Sequence, residues 1–379
     1  MAEAATKAVG GGLRNVVAGQ TALSTIDGAK GILTYRGIDI HGLAEQSTFE
    51  ETVFLLHRGT LPTRAQLDAF RKELAGQRRL PDAALSILHA LPKTAHPMAA
   101  LRTVVSALGA LDPDANDDGE AARTRKALRL TAQMATVVAT IERIRNGWAP
   151  VSPDLQLGHA ANFLYMLTGQ RPDDEAARAM DVALVLHADH EFNASTFVAR
   201  VTASTLADVH GAITAAIATL KGPLHGGANE AVMETLQQIG TSDKVDGFLK
   251  DAFAQKRKIM GFGHAVYKTE DPRATHLRRL SQKMGEKTGD ARWYDLSQKV
   301  EEYVKREKGL YCNVDFYSAS LYHVMGIPTD LFTPVFAVSR VAGWTAHALE
   351  QLANNKLIRP ESEYIGQLGV PYVPIDARG

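Results

Sequence analysis

The stretch GFGHAVYKTEDPR, residues 261–273, places an imidazole and a guanidinium on a glycine-rich turn around which the other segments are arranged. Its two glycines permit backbone conformations and close approaches that other residues do not, and they lead directly to His264. Pro272 fixes the path of the chain just before Arg273. Three cations precede the turn at 256–258, and these groups together favour a substrate rich in carboxylate or phosphate.

The composition is typical of a globular protein without a net electrostatic field. Apolar residues make up 45% and charged residues 22% of the 379 residues, a length that allows a large core and more than one domain. Lys plus Arg and Asp plus Glu number 42 each, so net charge favours neither nucleic acid nor a membrane surface. We therefore expect neither as a partner, and anion binding has to come from local clusters.

Cysteine content and apolar run length indicate the compartment. Cys312 is the single cysteine, which excludes an intrachain disulfide and suits a reducing cytoplasm. No apolar run approaches the roughly 18 residues that a transmembrane helix requires. Residues 1–15 have neither the apolar centre of a signal peptide nor the Arg-rich character of a transit peptide. The sequence therefore predicts a cytoplasmic protein.

Helical periodicity dominates the chain after one short β-rich segment. Residues 16–35 are rich in β-branched side chains around Asp27-Gly28, which predicts a small hairpin. Apolar residues at three- and four-residue spacing predict helices at 83–91, 98–111, 121–145, 159–167, 174–186, 211–220, 229–239, 246–256, 276–288, 293–307, 316–324 and 335–353. We therefore predict an all-α fold with a minor N-terminal β-hairpin.

Two further helices are indicated by cap signals. Ser47 is followed by Glu50 in a capping-box pattern, which predicts a helix from there to Arg58. Thr63 is the expected cap of the next helix, over 64–75.

The stretch HADHE at 187–191 combines two histidines with two carboxylates. Positions three apart share a face of a helix, so we expect His187 and His190 to point the same way. One interpretation is a metal site with His225 and Asp315 as further ligands. The other is a helix end whose polar groups are satisfied locally, and spacing alone leaves both open.

The stretch GPLHGGANE at 222–230 forms a turn that brings His225 just ahead of a helix beginning near Asn229. The partial positive charge of a helix N-terminus disfavours a second cation, so this imidazole should stay neutral and donate a hydrogen bond. The alternative is a packed histidine that caps the turn, and the spacing does not decide between the two.

Three more ionisable residues lie in informative surroundings. Asp315 precedes an aromatic-rich helix, where a carboxylate serves either as a cap or as a base. Arg340 lies in an otherwise apolar helix, where an unpaired charge is costly, so we expect it to face a site or an anion. Arg359 is compatible with an exposed chain end. Two histidines that can be neutral, one carboxylate and three arginines suit carbon-acid chemistry on a di- or tricarboxylate.

Several segments resemble the motifs of the citrate synthase family, in family order. They are LTYRGIDI (33–40), HPM (96–98), HADHEFNASTF (187–197), GPLHGGANE (222–230), GFGHAVYKTEDPRA (261–274), NVDFYSASL (313–321), and VSR with RPES (338–340 and 359–362). They span the chain from near residue 16 to its end. The combination of GPLHG, GHAVYKxxDPR and NVD is highly specific.

The resemblance implies a citrate synthase-like, all-α fold of two domains. A large, dimer-forming domain comprises 1–221 and 321–379, and a small domain, 222–320, closes over the active site. A homodimer with both sites near the interface is also implied. The implied reaction condenses acetyl-CoA with oxaloacetate and water to citrate and CoA, the first step of the tricarboxylic acid cycle.

The resemblance assigns roles motif by motif. His225 donates to the thioester carbonyl of acetyl-CoA, Asp315 removes a methyl proton, and His264 polarises the oxaloacetate ketone and protonates the new alkoxide. The residues assigned to oxaloacetate are His190, Arg273, Arg340 and, from across the dimer interface, Arg359. Those assigned to the coenzyme A loop are Gln255, Lys256, Arg257, Lys258, Ile259, Met260, Gly261, Phe262 and Gly263. No metal and no permanently bound cofactor are implied, and acetyl-CoA is a cosubstrate.

Alternatives remain within and outside the family. The nearest rival, 2-methylcitrate synthase, shares these motifs and uses propionyl-CoA. One methylene in an apolar pocket gives only about 1–3 kcal/mol of discrimination between two substrates. Ala265 stands where many bacterial members carry Arg, with no consequence that the sequence assigns. The chain lacks the long N-terminal β-rich extension of the hexameric, NADH-inhibited members, which favours the short dimeric type. A histidine-metal hydrolase and a noncatalytic helical scaffold are the alternatives from other classes.

Overall fold

The computed structural model describes residue 13 and residues 16–378, so residues 1–12, 14–15 and 379 of the predicted large domain lie outside the described chain. Three short strands form one antiparallel sheet in the order β1 (Ser24–Asp27), β2 (Ile32–Tyr35) and β3 (Ile38–Asp39). The predicted hairpin is therefore confirmed. The third strand has only two residues, too few for an alternating pattern to reveal it.

Apart from short 3₁₀ turns, the other regular elements of the described chain are the α-helices α1 (Ile40–Gln46), α2 (Phe49–Arg58), α3 (Arg64–Gly76), α4 (Asp82–Ala90), α5 (Pro97–Leu111), α6 (Glu120–Arg145), α7 (His159–Thr168), α8 (Asp174–His187), α9 (Ala194–Ser204), α10 (Val209–Leu220), α11 (Ala228–Ile239), α12 (Val245–Ala254), α13 (Pro272–Thr288), α14 (Arg292–Lys308), α15 (Val314–Val324) and α16 (Phe332–Ala353). Every helix predicted from periodicity is present. None of these helices combines the length and apolarity of a membrane span.

Helices α1 and α9 are the two that the sequence pattern does not predict. The sequence of α9, ASTFVARVTAS, is rich in Ser, Thr and Val, which are weak helix formers. Its start is fixed by Asn193, whose side chain accepts a hydrogen bond from the backbone N–H of Thr196. Tertiary packing and this cap override the low propensity.

The cap predictions differ in outcome. Thr63 and Gln66 form a reciprocal capping box at α3, so that prediction is confirmed. The Ser47 and Glu50 capping box is wrong, because Thr48 caps α2: its side-chain oxygen accepts from the backbone N–H of Glu51. Glu50 is instead buried and accepts from the backbone N–H of His159 over 2.7 Å.

Helices α6 and α16 are buried over most of their length and pack against each other. Helix α16 also packs against α8, α9 and α10, which brings Arg340 and Trp344 close to the ends of α8 and α9. One continuous hydrophobic core includes residues from both predicted domains, for example Leu184 and Leu277. The division into domains therefore stays a prediction.

Candidate active site

Two cavities meet at one group of side chains. The first, about 820 Å³, is lined by the predicted coenzyme A loop and by the start of α15. The second, about 700 Å³, is lined by residues around His190 and by Arg273 and Arg340. The residues that line both cavities are Leu224, His225, His264, Ala265 and Asp315. The three predicted catalytic side chains therefore line both cavities.

Most of the predicted coenzyme A loop borders the first cavity. Residues 256–263 line it, whereas Gln255 does not. Gln255 is the C-cap of α12, and its backbone N–H donates to the carbonyl oxygen of Asp251 over 3.0 Å. The assignment of Gln255 to the coenzyme A loop stays a prediction.

Asn313 joins this loop to the candidate base. Its backbone N–H donates to the Gly261 carbonyl over 2.9 Å, and its side-chain Nδ2 donates to the Gly263 carbonyl over 3.0 Å. Its Oδ1 accepts from the backbone N–H of Asp315 over 3.0 Å. A side chain at residue 261 is excluded, since a Cβ there would lie 2.7 Å from Val232 Cγ2.

His225 is held by the first turn of α9. The Oγ of Ser195 lies 2.8 Å from His225 Nε2, and the Ser195 backbone N–H donates to the same nitrogen over 3.3 Å. Trp344 Nε1–H donates to Ser195 Oγ over 3.0 Å, which fixes the hydroxyl. Because Nε2 accepts from a backbone N–H, the neutral ring carries its proton on Nδ1.

The imidazole of His225 is neutral at pH 7, as the sequence predicts, but for a different physical reason. Burial, followed by the positive charge of Arg340, lowers its pKa to about 4. The sequence argument relied on the N-terminus of α11, which begins at Ala228. The helix whose free backbone N–H reaches the ring is α9, through Ser195.

His264 is a second neutral donor. Its Nδ1 accepts from the backbone N–H groups of Val266 and Tyr267, over 3.0 and 3.3 Å, which leaves the proton on Nε2. Burial, followed by the charge of Arg273, lowers its pKa to about 4.

Asp315 is a carboxylate with little solvation. Its Oδ1 is buried and has no hydrogen-bond partner. Burial raises its pKa to about 7, although the nearby charge of Arg273 opposes the shift. A carboxylate with this proton affinity is a much stronger base than one in water.

Two arginines supply buried positive charge to the second cavity. Arg273 makes a bidentate ion pair with Asp271, with Nε–Oδ1 and Nη2–Oδ2 distances of 2.9 and 2.7 Å. Burial alone would lower the pKa of Arg273, but Asp271 outweighs it and raises that pKa. Arg340 donates from Nε to the His187 carbonyl over 2.6 Å, and burial lowers its pKa to about 10. Both arginines are therefore cationic at pH 7.

The prediction that His187 and His190 share a helix face is wrong. Helix α8 ends at His187, and the chain then turns through Glu191, whose φ is +51°. His190 consequently points elsewhere: its Nε2 lies 3.1 Å from the Tyr267 hydroxyl, and its ring centroid lies 5.2 Å from that of His264. Burial lowers the pKa of His190 well below its ordinary value.

The residues proposed as metal ligands do not converge within the described chain. The group of three ligand atoms that does converge there belongs to Glu270, Glu301 and Cys312. Arg278 already pairs with both of these carboxylates through Nη2, so the group is an ion-pair network. The histidine-metal interpretation thus has no common site among His187, His190, His225 and Asp315.

Arg359 lies in the irregular segment after α16, is exposed and lines neither cavity. Its assignment across a dimer interface stays a prediction. Sequence reasoning missed Ser195, Tyr267 and Asn313 as site residues, although each lies inside a quoted motif. Their polar side chains beside the assigned residues were the available signal.

Two neutral imidazole donors, a poorly solvated carboxylate and two buried arginines at a junction of cavities are typical of an enzyme that carries out acid–base chemistry on an anionic substrate. The family described as "Citrate synthase, C-terminal domain" matches residues 12–361. The chain belongs to the citrate synthase family.

Individual relatives agree with this assignment. The citrate synthase of Haloferax volcanii is 50% identical over 372 residues, which is 97% of this chain and 98% of that protein. The 2-methylcitrate synthase of Shewanella oneidensis is 45% identical over 377 residues, 99% of each chain. The structure of Thermoplasma acidophilum citrate synthase, in a ternary complex with carboxymethyl coenzyme A and oxaloacetate, gives a TM-score of 0.92. It is 34% identical and covers 97% of this chain and 98% of that one. The predicted family and all-α fold are confirmed.

Proposed function

We propose that this protein condenses acetyl-CoA with oxaloacetate and water to give citrate and CoA. The observation that carries the proposal is the meeting of the two cavities at His225, His264 and Asp315. A loop with three cations borders one cavity and suits the phosphates of CoA, and two buried arginines border the other and suit a dicarboxylate. A relative of the same fold holds both kinds of ligand.

Oxaloacetate occupies the second cavity. Arg340 has guanidinium N–H groups beyond its one bond to a backbone carbonyl, and Arg273 has Nη1, which its ion pair with Asp271 leaves unused. His190 adds a neutral imidazole beside them. Guanidinium–carboxylate pairs in a buried site both bind and orient, so the ketone is presented to His264.

The first chemical step forms an enolate from acetyl-CoA. Asp315 removes a proton from the methyl carbon, and the electron pair of the broken C–H bond moves onto the thioester oxygen. The Nδ1–H of His225 donates to that oxygen. Because the donor is neutral and already fixed by Ser195, it stabilises the developing charge without reorganisation.

The second step forms the carbon–carbon bond. The enolate carbon attacks the ketone carbon of oxaloacetate, whose oxygen becomes an alkoxide and takes the Nε2 proton of His264. Water then hydrolyses citryl-CoA: its oxygen bonds to the thioester carbon as the C–S bond breaks, and one of its protons returns to Nε2 of His264. The departing thiolate takes the proton held by Asp315, so citrate and CoA are released and both side chains are restored. Exclusion of bulk water until that stage protects acetyl-CoA from premature hydrolysis.

We infer domain closure and a homodimer as parts of the same mechanism, with 222–320 as the moving segment. Leu224 lines both cavities and is 96% exposed, so closure has apolar surface to bury. Arg359 is followed by exposed apolar side chains such as Ile365, at 93%, which is typical of a surface that another chain covers. The cytoplasm is the proposed location, since Cys312 has no second cysteine to pair with.

The experiment is an assay of CoA thiol release with oxaloacetate and either acetyl-CoA or propionyl-CoA. We expect a higher specificity constant for acetyl-CoA. No thiol release from either thioester would reject the synthase. A higher constant for propionyl-CoA would identify a 2-methylcitrate synthase, and activity lost to a chelator and restored by zinc would favour the hydrolase.

A further inference from the structure

The three-stranded sheet contacts the turn that carries His190. In β1, the Ser24 hydroxyl donates to Asp189 Oδ2 over 2.5 Å and accepts from the backbone N–H of Glu191 over 2.9 Å. In β2, the Tyr35 hydroxyl donates to the Asp189 carbonyl over 2.9 Å. Ser24 of β1 therefore bonds to the residues on both sides of His190, one of the proposed oxaloacetate ligands, and Tyr35 of β2 bonds to the residue before it.

The turn between β1 and β2 contacts the segment that follows His264. The Gly28 carbonyl accepts from the backbone N–H of Lys268 over 2.8 Å. The backbone of Val266 lies so close to Gly28 that a Cβ at residue 28 would be 2.3 Å from the Val266 carbonyl oxygen. Val266 and Tyr267 are the residues whose N–H groups hold Nδ1 of His264. The same small sheet thus touches two of the segments that border the second cavity.

We propose that this sheet is a positioning element for the oxaloacetate site, and that Gly28 is its most sensitive positioning residue. The sheet sets the spacing between the His190 turn and the His264 segment, and Ile26 of β1 also lines the second cavity. The absence of a side chain at residue 28 lets the backbone at Val266 sit where His264 needs it. This inference rests on the proposed function, because oxaloacetate is the ligand that both segments contact.

Alanine at residue 28 tests the contact with little else changed. Gly28 does not have a left-handed φ, so the backbone tolerates alanine and the clash with Val266 is the main effect. A backbone carbonyl cannot rotate away as a side chain does, so the segment around Val266 has to shift. This shift also moves the backbone N–H groups of Val266 and Tyr267, which donate to Nδ1 of His264. The coenzyme A loop is tied to Asn313 instead and should stay in place.

The experiment compares Gly28→Ala with Gly42→Ala, a change in α1 where a Cβ meets no atom within 4 Å. Oxaloacetate binding is measured by calorimetry, thiol release gives kcat and both KM values, and melting reports folding. We expect Gly28→Ala to raise the oxaloacetate Kd about tenfold or more and to lower kcat, with the acetyl-CoA KM within about twofold of wild type. Gly42→Ala should behave as wild type.

A second pair of variants keeps the test decisive if Gly28→Ala does not fold. Ser24→Ala removes the hydroxyl that bonds on both sides of His190 and should weaken oxaloacetate binding roughly two- to tenfold, and Ser24→Thr should restore it. Folded Gly28→Ala or Ser24→Ala protein with wild-type oxaloacetate Kd overturns the proposal, as does an equal rise in both KM values. Failure of the proposed function is distinguished beforehand, because the wild-type protein would then release no thiol.

Discussion

The Nε2 atom of His225 lies 2.8 Å from the hydroxyl oxygen of Ser195, which belongs to the first turn of a helix that the sequence pattern does not predict. This contact, with the backbone N–H of the same serine, leaves Nδ1 of the imidazole as the protonated nitrogen. The donor that the thioester oxygen needs is therefore oriented before any substrate arrives.

Ser195→Ala should lower kcat roughly 10- to 100-fold because the imidazole loses part of its orientation. The oxaloacetate KM should change little, since Ser195 does not line the second cavity. Steady-state kinetics with each substrate in turn measure this split. Ser297→Ala is the matched control, because it removes another buried hydroxyl, bonded to the Trp293 carbonyl in α14. Unchanged kcat in folded Ser195→Ala protein would count against the orientation by Ser195.

The activity should depend on pH through Asp315. Only the carboxylate accepts a proton, and burial raises its pKa to about 7, so kcat/KM for acetyl-CoA should fall as pH decreases through that value. His225 and His264 have pKa values lowered to about 4, so they stay neutral over the same range and cause no further change in kcat/KM. A pH profile of kcat/KM checks this, and a flat profile down to about pH 5 is the contrary result.

Asp315→Asn should abolish most of kcat and yet stabilise the substrate-free protein at pH 8. The folded pKa lies above the unfolded value of 3.8, so the ionised form disfavours folding at high pH. That cost is complete above about pH 7 and disappears below about pH 4, so the gain in Tm should shrink over this interval. Melting curves at several pH values measure it. Near-normal turnover would remove Asp315 as the base, and a lower Tm at pH 8 would contradict the burial argument.

Arg273→Leu should raise the oxaloacetate Kd roughly 30-fold or more, because it removes a buried charge that faces the second cavity. It also leaves the buried Asp271 carboxylate without its partner, which costs about 3–5 kcal/mol of unfolding free energy. Adding Asp271→Asn should recover stability but not binding. Denaturant titration and calorimetry separate the two effects, and unchanged affinity in either variant would exclude Arg273 from the oxaloacetate site.

Most helices were predictable because apolar spacing reports burial directly. The motifs pointed to His190, His225, His264, Arg273, Asp315 and Arg340, all of which line the cavities, and the roles of these residues stay predictions. The choice of Thr48 over Ser47 as the cap of α2 could not be predicted, because Ser and Thr have similar N-cap preferences and packing selects one of them. The turn that points His190 away from His187 was equally hidden, since Ala188-Asp189 carries no turn signal. Contacts such as Ser24 with Asp189 join residues 165 positions apart, which local patterns do not encode.

Mixed dimers test the contribution of Arg359. Neither Arg359→Leu nor Asp315→Asn subunits should be active alone. If the arginine completes the partner's site, a heterodimer of the two variants contains one intact site and should regain up to about half of the wild-type activity per dimer. Thiol release after subunit exchange measures this, with differently tagged subunits to prove that heterodimers form. Purified heterodimers without activity would place Arg359 outside the shared site.

The central claim is that the His225 imidazole and the Asp315 carboxylate act on one two-carbon unit. A crystal structure of this protein with oxaloacetate and carboxymethyl coenzyme A tests it most directly, because the carboxymethyl group occupies the place of the acetyl group. We predict His225 Nδ1 within about 3.2 Å of one carboxymethyl oxygen, and an Asp315 oxygen against the same group from the other side. A ligand-filled, closed structure in which these two side chains do not reach the same carboxymethyl group would contradict the account.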